Sequence, residues 1–136
     1  MSEPHRWVLD ASAALHVVMR LPSAEPIIER LEQATLILVP QLYFSETANA
    51  LWKYASSGQL SSEQAIERYQ EVSLLPDQAI SDQTLAVEAL NLASSHNHPV
   101  YDMIYAVLAR RNACGVLSRD SRLAGLLESL GVPAAS

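Results

Sequence analysis

The sequence predicts an α/β protein whose mostly parallel central sheet lies between two layers of helices. Short apolar runs of strand length alternate with stretches of helical periodicity, which is typical of a parallel sheet covered by helices. A length of 136 residues suits one domain, residues 1–136. The hydrophobic fraction of 49% and the charged fraction of 18% are those of an ordinary globular protein. We therefore expect a three-layer α/β/α sandwich.

The predicted strands are short apolar runs that end at polar or turn-forming residues. The first ends at Asp10, and Pro40 stops the clearest one. The runs are residues 7–9, 36–39 and 115–118, a short strand that begins at Val132, and an edge strand near residues 78–80.

Helical patterns fill the intervals between these strands. Ser61 and Gln64 match a capping box at the start of one helix, and Gly58 follows the end of the helix before it. Ser23 is expected to cap the second helix. The predicted helices cover residues 11–19, a segment around 27–31, residues 41–57, 61–72, a segment around 85–92, and residues 100–112 and 121–130.

The sequence favours a cytoplasmic protein with no membrane association. Cys114 is the only cysteine, so an intrachain disulfide is impossible, and its apolar surroundings predict a buried, inert thiol. The first residues lead into an apolar run too short for a secretory signal. No apolar stretch approaches the roughly 20 residues that cross a bilayer.

Charge is distributed unevenly along the chain. The net charge of −6 argues against a dedicated nucleic-acid coat protein, which is usually basic. The segment 102–136 differs, because it carries four basic and three acidic residues. A cation bound by Asp102 and Asp120 would make this segment distinctly electropositive.

Four acidic residues are expected to gather at one edge of the sheet. Asp10 ends the first strand, and Asp120 follows the strand 115–118 by two residues. Asp102 lies in the first turn of a predicted helix, and Glu46 lies about one and a half turns into another. In parallel α/β sheets, sites form beyond the carboxyl ends of the strands. Neighbouring parallel strands would bring the four carboxylates together there.

Each acid alone also has a purely structural explanation. Asp10 and Asp120 could cap the helices that follow them. Asp102 is favoured near a helix N-terminus by the helix dipole, and Glu46 could belong to a solvated helix face. A cluster is a different matter, because close carboxylates raise one another's pKa unless a cation neutralises them.

An all-oxygen cluster of this kind suits Mg²⁺ or Mn²⁺. One or two such ions can lower the pKa of a bound water and stabilise both oxygens of an in-line phosphoryl displacement. This chemistry requires no catalytic cysteine, serine triad or phosphate loop, and the sequence contains none of these.

The four acids lie in segments that resemble the ordered motifs of PIN domains, most closely those of VapC-type toxins of bacterial toxin–antitoxin pairs. The resemblance spans nearly the whole chain. The segments are VLDASA at 8–13, SETANAL at 45–51, YDMIYAVLA at 101–109 and VLSRDSRL at 116–123.

The resemblance implies endonucleolytic cleavage of RNA that depends on Mg²⁺ or Mn²⁺. It implies that Asp10, Asp102 and Asp120 contact metal directly, and that Glu46 reaches a second ion or a bridging water. It also implies a homodimer and a cognate antitoxin that neutralises the toxin.

The resemblance further implies that Ser12 and Ser118 form hydrogen bonds within the site. The family often has Thr at the position of Ser118. Since a hydroxyl is retained, we expect altered packing and intact chemistry.

Two other functions compete with this one. A haloacid-dehalogenase-like phosphatase needs a second Asp two residues after Asp10, and Ser12 occupies that position. A catalytically silent PIN-like domain that acts as an RNA or protein adaptor is the remaining alternative. Titration with divalent ions would separate it from an enzyme.

Several polar and aromatic residues outside the acidic quartet have predicted locations or roles. Arg119 and Arg122 flank Asp120 and are candidates for contacts with RNA phosphates. Trp52 is expected to pack in the core. The remaining residues are expected at the surface, with His96 and His98 in an exposed loop and Asn49 and Lys53 beside Glu46 on a solvated helix face.

Overall fold

Residues 3–136, which a computed structural model describes, form a parallel sheet of five strands with seven helices packed against it. The strands are β1 (Arg6–Leu9), β2 (Leu36–Pro40), β3 (Gln78–Ile80), β4 (Gly115–Leu117) and β5 (Ala134–Ala135). The helices are α1 (Ala11–Val18), α2 (Glu25–Gln33), α3 (Leu42–Ser56), α4 (Ser62–Leu74), α5 (Asp82–His96), α6 (Val100–Arg111) and α7 (Ser121–Ser129). The strand order is β3-β2-β1-β4-β5, and every neighbouring pair is parallel.

Each face of the sheet packs against its own group of helices. Val8 and Val116 belong to one core, together with buried residues of α5, α6 and α7. Trp7 and Leu9 alternate with Val8 along β1 and therefore belong to the opposite core, with α1 to α4. Burying one such side chain contributes about 1.5–3 kcal/mol. The two cores confirm the predicted α/β/α sandwich.

Helix α6 is the most deeply buried helix of the described chain. Its residues 103–109 are all buried, and it packs on α5 and on the three central strands. This packing fixes the position of Asp102, in the first turn of α6, relative to the sheet. Neither α6 nor any other helix within residues 3–136 is long and apolar enough to cross a membrane.

Gly115 allows β4 to lie close beside β1. It pairs with Trp7, and a Cβ atom on Gly115 would stand 2.7 Å from Cζ3 of the Trp7 ring. The same register places Leu9 beside Leu117, and the Asp10 N–H donates to the Leu117 carbonyl at 3.1 Å. The residues that follow the two strands are thereby brought together.

The prediction for Trp52 was wrong. Its side chain is 61% exposed, whereas the buried stripe of α3 consists of Tyr43, Thr47 and Leu51. Thr47 can lie in the core because its hydroxyl donates to the Tyr43 carbonyl at 2.8 Å. The buried face of α3 therefore includes a threonine, and Trp52 lies outside that face, toward solvent.

The predicted cap of the second helix was also wrong. The residue before α2 is Ala24, which provides no side-chain cap, and Pro26 lies in the first turn. Arg20 and Ser23 both have positive φ, so the α1–α2 turn bends and leaves Ser23 outside the capping position. The capping box of Ser61 and Gln64 is confirmed, as is the burial of Cys114.

Candidate active site

The four acids predicted from the sequence line one cleft of about 330 Å³. The parallel strands β1 and β4 end side by side, and the loops after them carry two of the acids. Helices α3 and α6 contribute the other two. The acids are Asp10 after β1, Glu46 on α3, Asp102 on α6 and Asp120 after β4.

Asp10 is buried at the base of the cleft, with 5% of its surface exposed. Its Oδ1 accepts hydrogen bonds from the Ser12 hydroxyl at 2.7 Å and the Ala13 N–H at 2.9 Å, so it also caps α1. Burial raises the pKa of Asp10, and the negative charge of Asp120 adds to this effect. The Ser118 and Ser12 hydroxyls and the Ala13 N–H lower the same pKa but do not outweigh the burial.

Ser12 and Ser118 connect the loops after β1 and β4. The Ser12 hydroxyl oxygen accepts from the Arg119 N–H at 2.8 Å while the hydroxyl donates to Asp10. The Ser118 oxygen accepts from the Asp120 N–H at 3.0 Å. The two serine oxygens lie 3.4 Å apart. The structure therefore places both serines within the cleft's hydrogen-bond network, where they position the neighbouring acids.

Asp120 caps the N-terminus of α7. Its Oδ1 accepts from the Arg122 N–H at 2.9 Å and from the Leu123 N–H at 3.5 Å. The helix dipole favours a negative charge at this position. The side chains of Arg119 and Arg122 are exposed beside the cleft, and neither forms an ion pair with residues 3–136.

Glu46 has a partner that the sequence reasoning missed. The buried Tyr105 hydroxyl donates to Oε1 of Glu46 at 2.6 Å. Burial raises the pKa of Glu46, and the Asp10 and Asp102 charges raise it further, whereas the Tyr105 hydrogen bond lowers it. Burial and the adjacent Glu46 carboxylate raise the pKa of Tyr105, so its hydroxyl stays protonated as a donor. The sequence does contain a signal for this partner: Tyr105 follows Asp102 by three residues, which places both on the same side of one helix.

Asp102 also has a partner that was not predicted. The Nε2 atom of His98 lies 2.7 Å from Oδ2 of Asp102, and both side chains are mostly buried. The prediction of an exposed loop was therefore wrong for His98. For His96 the predicted exposure is confirmed, but the loop is not, since His96 lies on the last turn of α5. The interval of four residues between His98 and Asp102 was the signal, because α6 begins between them.

A family model described as the PIN domain matches residues 7–126. The chain belongs to the PIN-domain family. The curated relative Ribonuclease VapC3 of Pyrobaculum aerophilum is 29% identical over 132 residues, which cover 94% of this chain and 99% of that protein.

Solved structures share the fold of this PIN domain. A crystal structure of a Pyrobaculum aerophilum protein has a TM-score of 0.72 at 23% identity, over 95% of this chain and 83% of that one. A toxin–antitoxin complex from Klebsiella pneumoniae gives a TM-score of 0.66 at 13% identity, over 95% of both chains. VapBC-1 from nontypeable Haemophilus influenzae also gives 0.66, at 12% identity over 96% of both chains.

The donor set of this PIN domain suits a hydrated divalent cation. Within residues 3–136, no three His, Cys, Asp or Glu side chains converge as a ready cage for a bare ion. The hydrogen bonds described above occupy one oxygen in each of the four carboxylates. Mg²⁺ typically keeps several waters and binds one or two carboxylates. Asp10 and Asp120, which are close enough for the charge of one to raise the pKa of the other, fit that requirement.

Proposed function

We propose that this PIN domain is a Mg²⁺- or Mn²⁺-dependent endoribonuclease and the toxin of a bacterial toxin–antitoxin pair. The observation that carries the proposal is the convergence of four carboxylates, from four separate elements, on one cleft. The family membership and the name of the Pyrobaculum aerophilum relative, a ribonuclease, support the same reaction class.

Asp10, Asp102 and Asp120 would hold the metal, and Glu46 would reach a second ion or a bridging water. A bound divalent ion supplies an acidified water and neutralises charge that develops on the phosphate. The chain's own part is orientation. Asp10 and Asp120 are fixed by helix N-termini, and His98 fixes one oxygen of Asp102.

Glu46 would act on a water beside the scissile phosphate. Tyr105 holds its Oε1, which directs the carboxylate and leaves Oε2 for the water. The raised pKa of Glu46 brings it closer to neutral pH, where a carboxylate is a more effective proton acceptor. Glu46 therefore suits a proton-accepting role better than an ordinary exposed glutamate.

Arg119 and Arg122 would bind RNA phosphates beside the cleft. Their side chains are exposed, while their backbone N–H groups bond to Ser12 and Asp120. They thus carry positive charge to the edge of a cleft that four carboxylates line. This charge offsets part of the repulsion between RNA and a chain of net charge −6.

The proposed antitoxin would cover the acidic edge and place an Arg or Lys among its carboxylates, where a cation is favoured. An apolar groove of about 310 Å³ between α3 and α4 supports such a partner, since Trp52 and Ile66 line it and are 61% and 58% exposed. Expression of the toxin alone should slow growth, and the antitoxin should restore it. A co-crystal with the antitoxin bound only on the face opposite the cleft would contradict this mode of inhibition.

We place residues 1–136 in one cytoplasmic domain that forms a homodimer. The free, buried Cys114 agrees with a reducing compartment. Val87 and Leu90 on α5 are exposed apolar residues, and they agree with a surface that a second copy covers.

A catalytically silent PIN-like adaptor remains the second candidate. The observation in its favour is that no three His, Cys, Asp or Glu side chains within residues 3–136 are grouped closely enough to hold a metal ion between them. Titration with Mg²⁺ or Mn²⁺ in an RNA cleavage assay separates the two functions. The enzyme gains activity with the ion and loses it with a chelator, whereas the adaptor binds RNA or protein without cleaving.

A further inference from the structure

Lys53 occupies an unusual position at the edge of the acidic cleft. It is the only lysine in the sequence and, among the residues that the structure describes, the one basic residue that lines the cleft. It is exposed and forms no ion pair with any carboxylate of residues 3–136, although four carboxylates line the same cleft. A cation that pairs with none of the nearby carboxylates is available to a negatively charged ligand.

The cleft continues past Lys53 into a second groove of about 670 Å³ between α1 and α3. The groove shares Ser12, Leu15, Ala50 and Lys53 with the acidic cleft, so the two spaces are contiguous. Among residues 3–136, no carboxylate residue lines the groove. A ligand that extends from the acidic cleft therefore meets one positive charge and then a neutral channel.

The outer walls of the groove carry groups that suit a nucleoside. Tyr54 supplies an aromatic ring, and Gln59 donates to the Ser57 hydroxyl at 2.9 Å while keeping its amide oxygen for another partner. The opposite wall is held in place because His16 bonds through Nε2 to the Pro22 carbonyl at 2.6 Å. The volume lies within the range of about 300–1,000 Å³ that is usual for ligand sites.

We propose that this groove binds the nucleotide next to the scissile phosphate of single-stranded RNA. Lys53 pairs with the adjoining phosphate, and Tyr54 stacks on the base. The inference rests on the proposed ribonuclease function and adds a substrate subsite to it. It accounts for the location of the only lysine and for the change from an acidic to a neutral surface on its two sides.

Equilibrium binding tests the subsite without any need for cleavage. A fluorescein-labelled single-stranded RNA is titrated with Asp10→Asn protein in Mg²⁺, and each variant is made in that background. Lys53→Gln should reduce the slope of log Kd against log salt by about 0.7, the effect of one lost phosphate contact on a single strand. Arg68→Gln is the matched control, because Arg68 pairs with Glu71 on α4 and lines neither cleft nor groove.

A second pair of variants tests the stacking contact. Tyr54→Leu should weaken binding about tenfold, within the range measured for loss of one base–aromatic stack, and Tyr54→Phe should bind like the parent. An RNA with an abasic nucleotide at the position next to cleavage should bind the parent and Tyr54→Leu proteins equally. Equal affinity of all three proteins for the intact RNA would overturn the stacking assignment.

The single lysine permits a chemical test of the same contact. Acetylation of the amines is followed by mass spectrometry with and without saturating RNA. Protection of Lys53 by severalfold, with the N-terminal amine unchanged, is the expected result. Unaltered labelling of Lys53 would overturn the subsite.

The outcomes separate this inference from the ribonuclease proposal. Cleavage by the wild-type protein together with unaffected Lys53 and Tyr54 variants would refute the subsite and leave the enzyme. Loss of binding in those variants without any wild-type cleavage would support the groove as a nucleotide-binding site and refute the enzyme. Failure of the protein to bind RNA at all would refute both.

Discussion

The hydroxyl of Tyr105 lies 2.6 Å from Oε1 of Glu46 and joins α6 to α3 across the acidic cleft. Tyr105 is 2% exposed, so its ring is held by the core while its oxygen reaches the site. A rigid donor of this kind fixes one rotamer of Glu46. The direction of the Glu46 carboxylate is therefore set by a hydrogen bond from a residue whose position the core fixes.

Tyr105→Phe should lower kcat for RNA cleavage roughly tenfold, or about 1.4 kcal/mol in barrier, with little change in KM. The ring still fills the core, but Glu46 loses the hydrogen bond that orients it. Steady-state kinetics measures the effect. Tyr43→Phe is the matched control, since it removes the buried hydrogen bond from Tyr43 to the Val72 carbonyl, outside the site. Equal losses of kcat in both variants would indicate a general structural effect.

Asp10→Asn should raise the melting temperature of the metal-free protein at neutral pH. Burial raises the pKa of Asp10 in the folded state, so its ionised form costs stability at every pH above that raised pKa. The cost declines as the pH falls through the raised pKa and is absent below 3.8, the ordinary value for Asp. The stability difference between variant and wild type should shrink over the same interval. Melting curves with a chelator across pH measure it, and a gain that is independent of pH would contradict this explanation.

Gly115→Ala should destabilise the protein by about 1–3 kcal/mol. The added methyl would collide with the buried Trp7 ring, 2.7 Å away. Gly125→Ala, in the exposed part of α7, is the control, and it should change stability in the opposite direction. No atom lies within 4 Å of its added methyl, so it should stabilise the helix by about 0.5–1 kcal/mol. Urea denaturation measures both, and equal stability of the Gly115 variant and wild type would show that β4 can shift away from β1.

Replacing both Arg119 and Arg122 with Ala should raise the KM for RNA and flatten its salt dependence, with kcat within roughly tenfold of wild type. Their backbone N–H groups, which hold Ser12 and Asp120, remain in the variant. Only the exposed charges are lost. Arg110→Ala, at the exposed end of α6, is a control for loss of charge. An unchanged KM with a collapsed kcat would mean that the two arginines act in the transition state.

The sequence predicts where the acids lie because the ends of apolar runs mark the ends of strands. Asp10 directly follows one apolar run, Asp120 follows the predicted strand 115–118 by two residues, and parallel pairing brings such positions together. The partners of Glu46 and Asp102 were not predictable in the same way. Tyr105 meets Glu46 only because α3 and α6 dock at one particular distance and angle.

The error on α3 concerned which face of the helix is buried. The size and apolar character of Trp52 predict a core position. In the structure Thr47 is buried on α3 instead, because its hydroxyl donates to a carbonyl of the same helix. Lys53 was assigned to a solvated face, and that assignment is correct for its exposure. The cleft beside it depends on the docking of α3 against α1, and hydrophobic periodicity carries no information about that.

Cleavage of a labelled single-stranded RNA by purified wild-type protein and by Asp10→Asn, with Mg²⁺ or Mn²⁺ and with a chelator, tests the central claim most directly. The account predicts internal cleavage by the wild type only when the ion is present, and none by the folded variant. Equal cleavage by both proteins, or cleavage that persists in the chelator, would contradict a metal-dependent ribonuclease built on the four acids.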